Sequence, residues 1–212
     1  MAKGNETALI RFNVQNIKYA MPKAEGGFEK PVPYGTAIKM ALEADSTVKK
    51  IYGDGAPIAS IVNDKGKTGT MTTNNISDDF EEAVGRLLKT PQGLASIKQQ
   101  KNIAFALYFE VKNLTAGGKM PLAKTWLYGV TSPTPPSETY DQNTDDINES
   151  SFETALEIAG IDLVGNDDKV WVDEETGQPV RVWKLTATPT DEGFDTFGDA
   201  VVIPKMNEAQ GG

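Results

Sequence analysis

Apolar and polar residues alternate one at a time along several separate stretches of this chain. In ALIRFNVQNIKYAM (8–21), Ile10, Phe12 and Val14 alternate with Arg11, Asn13 and Gln15. In TAIKMALEAD (36–45), Ile38, Met40 and Leu42 alternate with Lys39, Ala41 and Glu43. In SSFETALEIAGIDLV (150–164), Phe152, Thr154, Leu156 and Ile158 alternate with Glu153, Ala155 and Glu157. A period of two sends successive side chains to opposite faces of a strand, so each stretch offers one face to a core and one to water. A chain patterned this way folds around sheets, and the expectation is a mainly β architecture.

The remaining segments fill in that expectation. NIAFALYFEVKN (102–113) is apolar on both faces and reads as a central strand. MPLAKTWLYGVT (120–131) follows an Ala-Gly-Gly-Lys turn, predicting a hairpin. VKKIYGDGAPIASIVNDKG (48–66) reads as two short strands about Gly53–Gly55, and DKVWVDEETGQPVRVWKLTATPT as a hairpin about Glu175–Pro179. One helix is predicted, Asp78–Lys89. Ser77 is its N-cap, Asp78, Asp79, Glu81 and Glu82 suit its dipole, and Pro91 marks its stop. Phe80, Val84, Leu87 and Leu88 recur at helical spacing and are expected to pack on the sheet. The whole, residues 1–212, is expected to be one domain with a 1–7 N-terminal arm, a long Gly/Pro-rich loop over 22–35 and a loose 190–212 C-terminal extension.

Composition narrows the chemistry. The 212 residues include no cysteine and no histidine, which removes disulfides, thiol nucleophiles, the commonest general base and the commonest transition-metal ligand. The carboxylate pairs Asp78/Asp79, Asp145/Asp146, Asp167/Asp168 and Glu174/Glu175 fit caps and turns better than a metal or acid–base site. The Gly-Asp-Gly at 53–55 lacks the lysine and the following helix of a phosphate loop. No catalytic constellation, cofactor or metal site is expected. The net charge of −9 repels nucleic-acid phosphates, so tight DNA binding is not expected. The start MAKGNETALIRF lacks the apolar run of a signal peptide and no stretch is long enough to span a membrane, which points to synthesis in a cytoplasm. Trp126, Trp171 and Trp183 leave room for a second reading, a surface β-sandwich adhesion module binding carbohydrate.

The stretch KGKTGTMTTNNISDDF (65–80) joins a threonine-rich, polar and smooth strand directly to the helix. With NVQNIKYAM, YGTAIKMALEAD, IYGDGAPIAS and a late LTATP, it makes roughly Ala8–Pro189 resemble the major tail proteins of long-tailed bacteriophages. The resemblance implies a tail-tube-type β-sandwich or partial barrel with one flanking helix. It also implies homohexameric rings stacked into a virion tail tube, with tape measure, tail terminator and distal tail proteins as partners. Phage DNA would pass through transiently, without sequence-specific contacts and with no membrane involved. A strand facing sliding DNA should be polar, smooth and not basic, which Thr68, Thr70, Thr72 and Asn74 satisfy. With Lys39, Glu43, Glu153 and Glu157 they are expected to line the lumen. Glu25, Gly26, Gly27, Phe28, Glu29, Lys30 and Pro31 are expected to form a ring-stacking loop, mobile in the monomer together with both termini.

Overall fold

The computed structural model describes residues 8–53, 56–98, 101–140, 150–165 and 169–206 of the chain. The elements in chain order are β1 (Ala8–Ala20), β2 (Val32–Gly35), β3 (Ala37–Gly53), β4 (Ala56–Thr73), α1 (Asp78–Ala83), β5 (Leu87–Thr90), β6 (Gly93–Ser96), β7 (Phe105–Thr115) and β8 (Leu122–Thr131). There follow β9 (Ser137–Thr139), β10 (Ser151–Ile158), β11 (Ile161–Asp162), β12 (Val164–Gly165), β13 (Arg181–Val182), β14 (Lys184–Ala187) and β15 (Lys205–Met206). The protein is mainly β, as its alternation predicts. One large antiparallel sheet runs β2-β1-β7-β8-β10-β4-β3, with β14 beside β8 and β9 beside β10.

The sheet curls so that β1 approaches β3 across a shared core, although no strand pairing joins the two among the described residues. Inside the curl lie Ile17, Tyr19, Leu107, Phe109, Leu127, Leu156 and Ile158, with Met40 and Leu42 packed against them. One end of this core is closed by α1. Phe80 has no exposed surface and meets Tyr19, Tyr34 and Phe105 edge-on, at ring separations of 4.9, 4.9 and 5.1 Å. Such edge-to-face contacts add roughly 0.5–1.5 kcal/mol per pair beyond the area buried.

A second core lies on the outer side of β7 and β8, which explains why both strands are apolar on both faces. Ala106, Tyr108, Trp126 and Tyr128 pack there against Phe194, Phe197 and Val201. The 190–206 segment is therefore a lid on the sheet, and only 207–212 of the expected loose extension lies outside the described residues. Its backbone carbonyls satisfy the polar tips beneath. The Trp126 indole N–H donates to the Phe197 carbonyl at 2.8 Å, Lys124 donates to Phe194 at 2.7 Å, and the Tyr128 hydroxyl donates to Val202. The 1–7 arm falls outside the described residues.

Three expectations are corrected. The helix stops at Ala83, not Lys89, because Gly85 takes φ 75° and closes a Schellman turn. In that turn Arg86 N–H donates to Glu81 and Gly85 N–H to Glu82, at 2.8 and 3.0 Å. Leu87 and Leu88 then fall on strand β5, where Leu87 is half-buried and Leu88 is 52% exposed, so Leu88 does not pack on the sheet. Ile38 does not face the core either. A bulge between Ala37 and Lys39 turns Ala37 inward and leaves Ile38 48% exposed. The two short strands about 53–55 are in fact the outer part of two very long ones, β3 and β4.

Candidate assembly surface

Register brings the predicted lumen residues together. Thr72 of β4 is paired with Lys39 of β3 on one side and Glu153 of β10 on the other. Two residues along, Thr70 lies between Ala41 and Ala155, and two further, Thr68 lies between Glu43 and Glu157. Strands about 4.8 Å apart place each row within about 10 Å. The reverse face of the same strands carries Met71, Thr73, Thr154, Leu156 and Ile158, all buried. Period two thus separates a core face from a solvent face of small hydroxyls and methyls edged by charge. Lys39, Glu43, Glu153 and Glu157 are exposed, and the threonines are half-buried between them. Three carboxylates and one ammonium give this face a net charge of −2.

Gly69 sits on the core side of this ladder because nothing larger fits. A Cβ there would lie 2.8 Å from the Ala41 carbonyl oxygen and 3.0 Å from Leu42. Asn74 does not join the face. It lies past the end of β4, where its N–H donates to Thr36 at 3.2 Å, and it lines a groove beside α1. Its parity with Thr72 means nothing once the strand has ended.

The hairpin β3–β4 reaches well beyond the rest of the sheet. The β10 ladder on β4 stops at the Ile158–Lys67 pair, whereas β3 and β4 go on pairing from Ser46–Asp64 to Gly53–Ala56. This outer arm is roughly 25 Å long at 3.3 Å per residue. Near its tip Ile51, Tyr52 and Ile58 are 38, 63 and 69% exposed. The outer edge of β3 ends the sheet path and is not paired with another strand among the described residues, although β1 comes near it.

The 22–35 region is more tightly held than a free stacking loop. Met21 and Lys23–Gly27 close a turn through Glu29 N–H to Met21 at 2.7 Å and Lys23 N–H to Gly27 at 3.0 Å. Phe28 packs on the second core and Pro31 is buried, while Glu25, Gly26, Gly27, Glu29 and Lys30 are exposed. The end of the region is strand β2, whose Tyr34 is buried and hydrogen-bonded to Thr154 at 3.0 Å.

Two buried charges escaped the sequence reading. Arg86 is 3% exposed, grips Glu81 through two 2.8 Å contacts, and donates to Ser132 Oγ at 3.0 Å and the Thr134 carbonyl at 2.8 Å. Glu110 is 7% exposed and accepts from Asn16 at 2.8 Å, Gln15 at 3.1 Å and the Tyr108 hydroxyl at 2.8 Å. Burial pushes the Glu110 carboxyl up, but these donors and the Lys124 charge outweigh it and hold the group below its ordinary value. The same network and burial push the Tyr108 hydroxyl well up. Both sites join elements: Arg86 ties α1 to the chain after β8, and Glu110 ties β7 to the bulged part of β1, where Asn13 and Asn16 take positive φ.

The three tryptophans share no surface. Trp126 is wholly buried, and Trp183 is half-buried with Lys67 and Lys184 over its ring at 5.6 and 5.0 Å. Asp78 and Asp79 stand in the first turn of α1. Glu174 and Glu175 stand in a turn where Asp173 caps two backbone N–H groups. Among the described residues, no group of three or more carboxylates is placed to hold a metal ion, and no helix is long and apolar enough to cross a membrane. Asp145/Asp146 and Asp167/Asp168 lie outside the described residues. No protein-family model matches the chain, and no curated protein matches it.

Proposed function

We propose that this chain is a structural virion protein that polymerises as stacked hexameric rings into a bacteriophage tail tube. The observation that carries the reading is the β3–β4 arm. A two-stranded ribbon alone in water is marginal at best, and this one also exposes Ile51, Tyr52 and Ile58. A long apolar-tipped arm and an unpaired edge strand are liabilities in a monomer and become contacts in a polymer. The tail-protein resemblance supplies the ring and tube geometry. The Thr68/Thr70/Thr72 face then lines the channel for DNA passage into the host, its hydroxyls giving a smooth wall and its carboxylates keeping phosphates at a distance.

Negative-stain imaging of the purified full-length protein tests the reading. Rings and tubes of uniform width are expected as concentration rises. Monodisperse particles at every concentration, with or without retention on a glycan array, would remove it.

A further inference from the structure

The arm needs something to hold its tip, and the fold offers a receptor at the far end of the same strand. Beside α1 lies a groove of about 730 Å³ lined by apolar residues, Ile76, Leu87, Ile97, Pro136 and Phe152 among them, and by about as many polar ones. Its rim carries Asp78 and Glu138. We propose that the arm tip of one copy seats in this α1 groove of a second copy. The inference rests on the assembly reading above and names the contact that performs it.

Three observations support the match. The first is chemical. Ile51, Tyr52 and Ile58 are exposed apolar residues of the arm, and about half of the residues lining the groove are apolar. Burying the tip there removes both surfaces from water. The second is electrostatic. Lys50, exposed just before the tip, meets an acidic rim, and the acidic charge of α1's first turn adds Asp79 to Asp78.

The third is topological. The tip is where β4 begins, at Ala56, and the groove opens where it ends, at Thr73 and the following Asn74, Asn75 and Ile76. Seventeen steps of strand separate the two, at most roughly 55 Å along β4. The tip therefore points away from its own groove and meets only that of another molecule. Donor and acceptor are different patches, so the contact is head-to-tail and each docked copy presents a fresh groove or tip to the next.

The absence of cysteine makes a clean test possible. In full-length protein, Tyr52→Cys is combined with Ser96→Cys, a groove-lining position on β6. Mild oxidation should give a ladder of covalent oligomers from the double variant and dimers from an equimolar mixture of the two single variants. Each single variant alone should remain monomeric on a denaturing gel. Lys50→Glu and Glu138→Lys should each raise the concentration needed for assembly, and the two together should restore it. Ile58→Asp should raise it about tenfold or more.

Tubes without a ladder, or disulfide dimers from Tyr52→Cys alone, overturn the docking assignment while leaving the assembly reading in place. A wild-type protein that stays monodisperse and variants that do not cross-link overturn both.

Discussion

Arg86 carries the only guanidinium in a small buried cluster, and everything around it accepts hydrogen bonds: the Glu81 carboxylate, Ser132 Oγ and the Thr134 carbonyl. Removing one partner from a buried pair leaves the other charge without compensation, at a cost of about 3–5 kcal/mol. Arg86→Ala should lower stability by that amount in a urea melt; a loss below about 1 kcal/mol would show that water replaces the guanidinium easily. The Glu81–Arg86 spacing of five matches no helical pair, so sequence periodicity gives no hint of it. The pairing exists because Gly85 ends the helix and turns Arg86 back. Glu110 makes a prediction about pH. Its folded value is depressed, so its stabilising contribution is full above the unfolded carboxylate value, near 4, and is lost as pH falls through the folded value. Glu110→Gln should therefore be less stable than the parent at pH 7, and the gap should narrow toward pH 3. An equal gap at both pH values would mean that shape, not charge, holds the β1 bulge.

At the scale of elements, what the sequence disclosed depended on whether local pattern and tertiary packing agreed. For β10 they agree fully: Thr154, Leu156 and Ile158 are buried, and Glu153, Ala155 and Glu157 are exposed. For β7 the two apolar faces are readable, but not those of β8, nor that residues 190–206 supply the second cover, because turns with scattered aromatics carry no period. For α1 a helical spacing of apolar residues ran through Gly85, and backbone conformation overrode it. The consequence is measurable. Phe80→Ala should cost about 3–5 kcal/mol, and Leu88→Ala should change stability by no more than about 0.5 kcal/mol. A large effect at Leu88 in the dissociated protein would place the Leu87–Thr90 strand against the body instead of in solvent. The arm was the least legible element. Its two halves looked like separate strands because nothing in a one-residue alternation says that the pairing continues past the neighbouring strand's end. Replacing residues 50–60 with an Asn-Gly turn, which keeps Lys49 paired with Ile61, should leave the thermal midpoint of the body within a few degrees, since no described side chain of the arm belongs to either core cluster. The same replacement should abolish polymer in sedimentation. Polymer that persists would shift the assembly contact to another surface.

At the scale of the whole molecule, the symmetry of the proposed tube decides what the small charge of the threonine face does. Lys39, Glu43, Glu153 and Glu157 sum to −2 on one subunit, a modest field beside the chain's net −9. In a ring every copy contributes the same charges at the same radius, and in a stack every ring repeats them. The wall then repels phosphates over about 8 Å, the Debye length at physiological salt, and very little beyond it. That range suits a lining that prevents contact without opposing entry. Threonine rows between the charged strands add no donor strong enough to trap a phosphate, whereas a lysine in the same place would form a charge-assisted contact at every turn of the duplex. Glu43→Lys, Glu153→Lys and Glu157→Lys together convert the face from −2 to +4 per subunit. All three positions are exposed and none lines the α1 groove, Glu153 alternating with the groove-lining Phe152 along β10, so tubes should still form. Phage particles built with the triple variant should eject their DNA slowly or stall part-way, more severely at 20 mM than at 200 mM salt, because added ions screen the attraction. Ejection at the parental rate at both salt concentrations, from tubes of normal length, would mean that this face does not meet the DNA.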